Sequence, residues 1–167
     1  WQSQGLAVDE EYRDSGVGSK LKLAQRDHAR QRGLRLIEWT FDPLESKNAY
    51  LNIAKLGAIV RRYYVNHYGS IASTLHSGLD SDRGVAEWWI DQLRVPMTGD
   101  VRRVVIPSDI QSMKKESLGA AKEARIRVRE EFLRNIKDDY FVAGFQRNKK
   151  ASEYLFIPGA SRVHQTN

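Results

Sequence analysis

The sequence predicts an α/β (α+β) fold in which a mixed β-sheet is flanked by helices. Strand-like apolar runs alternate with amphipathic helix-like runs over residues 1–90, which is typical of a sheet covered by helices. An apolar stripe at helical spacing follows residue 109 and indicates a long helix. The chain then closes with two strand-like runs around a polar turn, the pattern of a β-hairpin.

The elements of the first half begin and end at clear signals. Gly33 stops the first helix, Pro43 ends the second strand, and Gly57 is placed as the left-handed cap of the second helix. The elements in order are a strand ending at residues 6–8, a helix over 17–32, a strand over 34–41, a helix over 45–56, and strands over 58–65 and 85–90. We expect the first helix to turn Val17, Leu21, Ala24 and His28 toward the core. The first two strands should be parallel, with a right-handed crossover.

The second half is predicted to extend this core. A strand over 101–106 precedes one long helix from Ile110 to Ile136, and strands over 140–146 and 152–157 form the hairpin. The seam falls at Pro96 to Gly99. The predicted organisation is therefore a core over 1–95, a helix-plus-hairpin extension over 100–158, and a disordered tail over 159–167.

Composition restricts the function. The net charge of +6 favours an anionic partner, either nucleic acid or a polyphosphate-bearing cofactor. The basic residues do not gather into one aromatic-interleaved stripe, which disfavours nucleic acid. The chain has no cysteine, and its four histidines lack ligand spacing, so we expect no metal site. No run has the length of a membrane span, and we expect a cytoplasmic protein.

The segment from Arg13 to Ser19 is the most informative part of the sequence. It joins a strand-like run to a helix through a turn with the spacing R-x-x-G-x-G. The first turn of a helix has backbone N–H groups without intrahelical partners and carries partial positive charge. Gly16 and Gly18 allow a ligand to approach the backbone, and Arg13 adds a charged donor. The segment is therefore predicted to hold a phosphate group.

Residues Leu6 to Leu56 resemble the core of the GNAT superfamily of N-acetyltransferases. That core has a strand, an R-x-x-G-x-G/A pyrophosphate loop with its helix, a second strand, and a helix that ends in a lysine-leucine-glycine phrase. The corresponding parts here are Leu6 to Val8, Arg13 to Gly18, Leu34 to Thr40, and Asn48 to Gly57. The phrasing around Trp39 to Leu44 is similar to a poorly characterised branch of predicted acetyltransferases, and that similarity continues into Tyr140 to Phe145.

The resemblance implies acetyl-CoA as co-substrate and an amine, not identified by the sequence, as acceptor. The implied cofactor contacts fall in three groups. The pyrophosphate would be held by Arg13, Gly16, Val17, Gly18 and Ser19; the pantetheine amides would pair with the strand edge at Leu6, Ala7 and Val8; and the pantetheine arm would face Asn48 and Asn52.

The sequence also departs from the family pattern. Many members have a tyrosine that protonates the leaving thiolate, and Ile53 stands at that position. Tyr64 and Tyr50 are alternative proton donors. The general base is expected to be Glu38 or Asp42, the carboxylates nearest in sequence to the predicted cofactor cleft. The family places about three strands and two helices before the pyrophosphate loop, and we expect this chain to lack them, along with much of the acceptor pocket.

Three functions follow from these observations. The first is an acyl-CoA-dependent N-acyltransferase that works by direct attack in a ternary complex. The second, motivated by Ile53, is a non-catalytic CoA-binding or regulatory module; the third, motivated only by charge, is a basic nucleic-acid-binding module. The pair Trp88 and Trp89 leaves a homodimer open, although core packing explains both residues as well. A serine triad and a metal hydrolase lack their motifs.

Overall fold

The computed structural model describes residues 17–69 and 78–159. The helices are α1 Val17–Gln31, α2 Ser46–Ala49, which continues as one π-helical stretch over Tyr50–Lys55, α3 Ile110–Glu116 and α4 Leu118–Lys137. The strands are β1 Leu36–Phe41, β2 Ile59–Tyr64, β3 Arg83–Trp89, β4 Arg102–Pro107, β5 Tyr140–Gln146 and β6 Ala151–Pro158. The predicted strand at residues 6–8, the loop residues 13–16 and residues 160–167 of the predicted tail lie outside the described residues.

The six strands form one sheet in the order β1-β3-β2-β5-β6-β4. Every described neighbour pair is antiparallel. The chain therefore has the predicted fold class, with helices, a long C-terminal helix and the β5–β6 hairpin. The predicted parallel pair needs the strand at residues 6–8, and it stays a prediction. The two halves of the sheet meet where Val60 of β2 pairs with Val142 of β5, so the hairpin continues the sheet formed by the earlier strands.

Glycine ends two of the elements as expected. Gly33 and Gly57 have φ values of 69° and 78°, in the left-handed region where glycine carries no Cβ penalty. At Gly57 the backbone N–H donates to the Ile53 carbonyl at 3.1 Å. The preceding turn is π-helical, since the Leu56 N–H reaches the Leu51 carbonyl at 3.0 Å.

The single long helix predicted from Ile110 to Ile136 is wrong, because the structure divides it at Ser117. Ser117 has extended backbone angles, φ −154° and ψ 106°, and its Oγ accepts the N–H of Ala120 at 3.1 Å. Serine competes well for an N-cap because its short hydroxyl bonds backbone groups that a helix leaves free. Ser117 therefore ends α3 and caps α4.

The main core lies on one face of the sheet, beneath the helices. It joins residues of every strand to α1, α2, α3 and α4, and Phe132 of α4 packs at its centre against Tyr63, Tyr154 and Phe156. A smaller cluster of Ile59, Phe141 and Ile157 lies apart from it. Within the described ranges, the model has no helix of the length and apolarity that crossing a membrane requires.

Candidate functional site

A cavity of about 430 Å³ opens beside the end of β1. Elements from both halves of the chain form its wall: α1, β1, α2, the β2–β3 connection, α3 and α4. Its described lining comprises Lys22, Trp39, Thr40, Phe41, Asp42, Glu45, Asn48, Leu51, Asn52, Tyr68, Leu79, Asp80, Ser81, Arg83, Ile110, Gln111, Lys114 and Arg125. Polar and charged side chains dominate this wall, so the cavity suits a polar ligand.

Asn48 and Asn52, which the resemblance places against the cofactor arm, both line this cavity. They lie four residues apart on α2 and its π-helical stretch, and this spacing brings them to one side of the helix. Asn52 is only 4% exposed as a residue, and what it does expose borders the cavity. A primary amide at the wall of a cavity can both donate to and accept from a polar ligand, so Asn52 marks a place for one.

Asp42, one of the two predicted general bases, also lines the cavity. Its two carboxylate oxygens accept from Nη1 and Nη2 of Arg125 at 2.8 and 2.6 Å. One of those oxygens also accepts the backbone N–H of Leu44 at 2.9 Å, which fixes the turn at Pro43. Both oxygens of this carboxylate are therefore already engaged by hydrogen-bond donors of the protein. The role of Asp42 as base stays a prediction, and its observed role is to anchor the cavity wall.

Arg125 is the buried partner in this ion pair, at 3% exposure. Burial acts to lower the pKa of its guanidinium, but the hydrogen bonds and charge of Asp42 outweigh burial and raise it. The arginine is therefore permanently charged. Its Nε is the one side-chain polar atom of the described residues that is buried without a hydrogen-bond partner.

The C-terminal hairpin braces the same wall. The Tyr154 hydroxyl donates to the Pro43 carbonyl at 2.7 Å, and the hydroxyls of Ser46 and Ser152 lie 2.8 Å apart. All of these groups are buried, and burial raises the pKa of Tyr154 well above its ordinary value, so this phenol stays protonated. Residues more than a hundred positions apart in sequence thus hold the turn that follows β1.

The other predicted catalytic residues do not line the described part of this cavity. Glu38 lies on β1 opposite Glu87 of β3 and forms a salt bridge with Arg62. Tyr64, at the end of β2, is 41% exposed and stacks on His67 with ring centroids 5.3 Å apart. Their catalytic roles stay predictions. The tyrosine that does line the described part of the cavity is Tyr68, which no sequence pattern had indicated.

Lys22 is a cavity residue that sequence reasoning missed. The expected inward stripe of α1 is turned outward, with Leu21 44% exposed, whereas Lys22 is 3% exposed. Its Nζ lies 3.6 Å from the centroid of the Trp39 ring and donates to Oε1 of Gln25 at 3.1 Å. Burial lowers the pKa of Lys22 to about 8. A lysine among apolar helix positions gives no sequence signal of burial, because lysine is usually exposed.

The segment predicted to hold the pyrophosphate lies only in part within the described residues. Val17, Gly18 and Ser19 form the first turn of α1 as predicted. Leu6, Ala7, Val8, Arg13 and Gly16 lie outside the described residues, and their cofactor contacts stay predictions. Among the residues that the model describes, no three His, Asp or Glu side chains converge in a metal-ligand arrangement.

Comparison with known proteins agrees with this geometry. Residues 2–57 match the model of the acetyltransferase (GNAT) family. The match agrees with the resemblance seen in the sequence, and the part of the chain that is similar to this family includes α1, β1 and α2 of the cavity wall. Searches of curated proteins and of solved structures found no match.

Proposed function

We propose that this protein binds an acyl-CoA, with acetyl-CoA the default donor, and transfers its acyl group to an amine. The family match over residues 2–57 supports acyl-CoA N-acyltransferase chemistry in general. The amine attacks the thioester carbonyl directly, within a ternary complex. A C–N bond forms, the C–S bond breaks, the amine loses a proton and the CoA thiolate gains one. The reaction requires mainly that donor and acceptor be positioned together.

One observation carries the proposal furthest: Asn52, a residue only 4% exposed, lines the cavity wall with a side-chain amide. A primary amide has two donor hydrogens and an acceptor oxygen. The pantetheine arm of CoA is a neutral chain with two amides, so it can satisfy both kinds of group. Asn48, exposed on the same side of α2, extends this polar strip. The pantetheine arm would lie along these two residues, and the phosphates of CoA would bind at Arg13, Gly16 and the first turn of α1.

Asp42 is the predicted base that lies in the cavity, and we infer that it acts on the amine through a water molecule. Its oxygens already accept hydrogen bonds from Arg125 and Leu44, so a water molecule would link the carboxylate to the amine. Glu38 would act only if the acceptor reached the other face of β1.

A second candidate, a non-catalytic acyl-CoA-binding module, is favoured by Ile53. This residue stands where the family pattern has its proton-donating tyrosine, and it is 2% exposed within the main core. It contributes no donor to the cavity. Binding without transfer would then be the function of this site.

The experiment is calorimetric titration of acetyl-CoA into the parent chain and into Asn52→Ala. Loss of the buried amide should weaken binding about tenfold, since such a hydrogen bond contributes about 1 to 1.5 kcal/mol. Asn148→Ala, exposed in the hairpin turn, is the matched control and should bind as the parent does. Arg13→Ala/Gly18→Glu should abolish binding, because it removes a cation and places a carboxylate at the pyrophosphate loop.

Turnover distinguishes the two candidates. Release of free CoA thiol with any member of an amine panel supports the acyltransferase. Binding without release across the panel supports the non-catalytic module. A parent chain with its native circular dichroism spectrum that does not bind millimolar acetyl-CoA would contradict both.

A further inference from the structure

The ammonium group of Lys22 has an incomplete set of partners. Of its three N–H donors, one reaches Gln25 Oε1 and another faces the ring of Trp39. No carboxylate of the described residues lies within ion-pair distance, and Lys22 makes no further polar contact with them. The remaining donor belongs to a side chain that lines the cavity.

The other buried cation of the cavity wall is compensated, which makes the state of Lys22 informative. Arg125 is paired with Asp42 through two hydrogen bonds. Arg83 donates to the Asp82 carbonyl at 2.9 Å and lies 3.8 Å from Asp42. An isolated cation at 3% exposure is costly, and a ring face recovers only part of that cost. Such a cation is stabilised by an anion brought to it.

We propose that Lys22 binds an oxyanion, a phosphate or a carboxylate, carried by the ligand of this cavity. The anion would lie beside the indole of Trp39 and accept the third N–H of the ammonium. The proposal deepens the proposed function and rests on it for the ligand's identity. In an acyl-CoA complex the pantetheine arm is neutral, so the oxyanion comes from a cofactor phosphate or from a carboxylate on the acyl group or acceptor.

Lys22 can be observed directly by NMR, because the nearby indole ring shifts the side-chain resonances of a lysine 3.6 Å from its centroid. The parent chain, labelled with ¹³C-lysine, is titrated separately with inorganic pyrophosphate, succinate, pantetheine and CoA. Absence of the shifted resonance in Lys22→Met assigns it. We expect pyrophosphate or succinate to move this resonance and to raise its titration midpoint by about one pH unit, as an approaching anion favours the charged amine. Pantetheine, which has no anion, should leave the midpoint unchanged.

Affinity supplies the second readout. Lys22→Met should weaken binding of the responding anion about tenfold or more, and Lys22→Arg should retain most of it. Lys122→Met, exposed on α4, is the matched control. A response to pyrophosphate and CoA alone identifies a cofactor phosphate, and a response to succinate alone identifies a carboxylate substrate. If neither anion moves the Lys22 resonance and CoA binds Lys22→Met as tightly as the parent, the proposal is overturned.

These outcomes separate the two proposals. If CoA binds normally and neither anion moves the Lys22 resonance, the acyl-CoA function is supported and the anion site is contradicted. If succinate moves the Lys22 resonance in a protein that does not bind CoA, the anion site is supported and the acyl-CoA function is contradicted.

Discussion

Replacing Lys22 by methionine should stabilise the unliganded protein at neutral pH. Methionine has a similar length and no charge, so it fills the same space against Trp39 without a buried ammonium. The pKa of Lys22 is lowered from 10.5 to about 8 by burial, which corresponds to about 3 kcal/mol against the charged form. The interaction of the ammonium with the ring face of Trp39 offsets about 1 to 2 kcal/mol of this cost. The net expected gain is about 1 to 2 kcal/mol at pH 7, or roughly 3 to 6 °C in Tm for a chain of this size.

The pH dependence carries the sharper test. Below pH 8 Lys22 is protonated in both the folded and the unfolded chain, so the full cost of burying its charge is present. Between pH 8 and 10.5 the folded chain has released the proton and the unfolded chain retains it. The unfolded state then binds more protons, and the parent's stability rises with pH. Lys22→Met lacks this contribution, so its advantage should shrink steadily across that interval.

The assay is urea unfolding followed by far-ultraviolet circular dichroism, at pH 7 and at pH 10, for the parent, Lys22→Met and Lys122→Met. The surface control should change the free energy of unfolding by less than about 0.5 kcal/mol at either pH. An Lys22→Met variant that is less stable than the parent at pH 7 would refute the reasoning. So would an advantage of the same size at both pH values. Either result would mean that Lys22 is not an uncompensated buried cation.

Three further predictions concern the elements that build the cavity wall. Asp42→Asn leaves the Arg125 guanidinium buried without its counterion and should lower the free energy of unfolding by about 3 kcal/mol, as measured with denaturant. Adding Arg125→Met to this variant should restore more than half of the lost stability. If the two substitutions instead destabilise the protein additively, the pairing is contradicted. Ser117→Ala removes the cap between α3 and α4 and should cost about 1 kcal/mol, whereas Ser117→Asp should retain stability. Gly57→Ala imposes a side chain at a φ of 78° and should lower stability by about 1 to 2 kcal/mol; an unchanged Tm would show that the turn relaxes.

Local signals determined most of the elements. Gly33 and Gly57 end their helices because their positive φ values suit a residue without Cβ. The polar turn between residues 146 and 151 separates two apolar runs and produces the predicted hairpin. Periodicity alone did not detect the break at Ser117, because the apolar stripe continues through it while the serine hydroxyl satisfies the next helix's free backbone.

Part of the site was also present in the sequence. The family phrase identified Asn48 and Asn52, and both line the cavity because a spacing of four places them on one side of a helix. Such a local pattern can be recognised without knowing what packs against it. The R-x-x-G-x-G segment is equally local, and the family match over residues 2–57 includes it; its role in binding pyrophosphate stays a prediction.

Only the tertiary structure decided what surrounds these groups. Asp42 pairs with Arg125, 83 positions away in the sequence, and Tyr154 donates to the Pro43 carbonyl, 111 positions away. No pattern of neighbouring residues predicts either interaction. Lys22 is buried because α1 packs on Trp39 with that side facing the sheet, although its apolar stripe predicted another orientation. The sequence by itself determined most of the described strands and helices, since those follow from neighbours within a few residues. Burial, ion pairing and the basicity of Lys22 depend on distant atoms, and the fold alone supplies them.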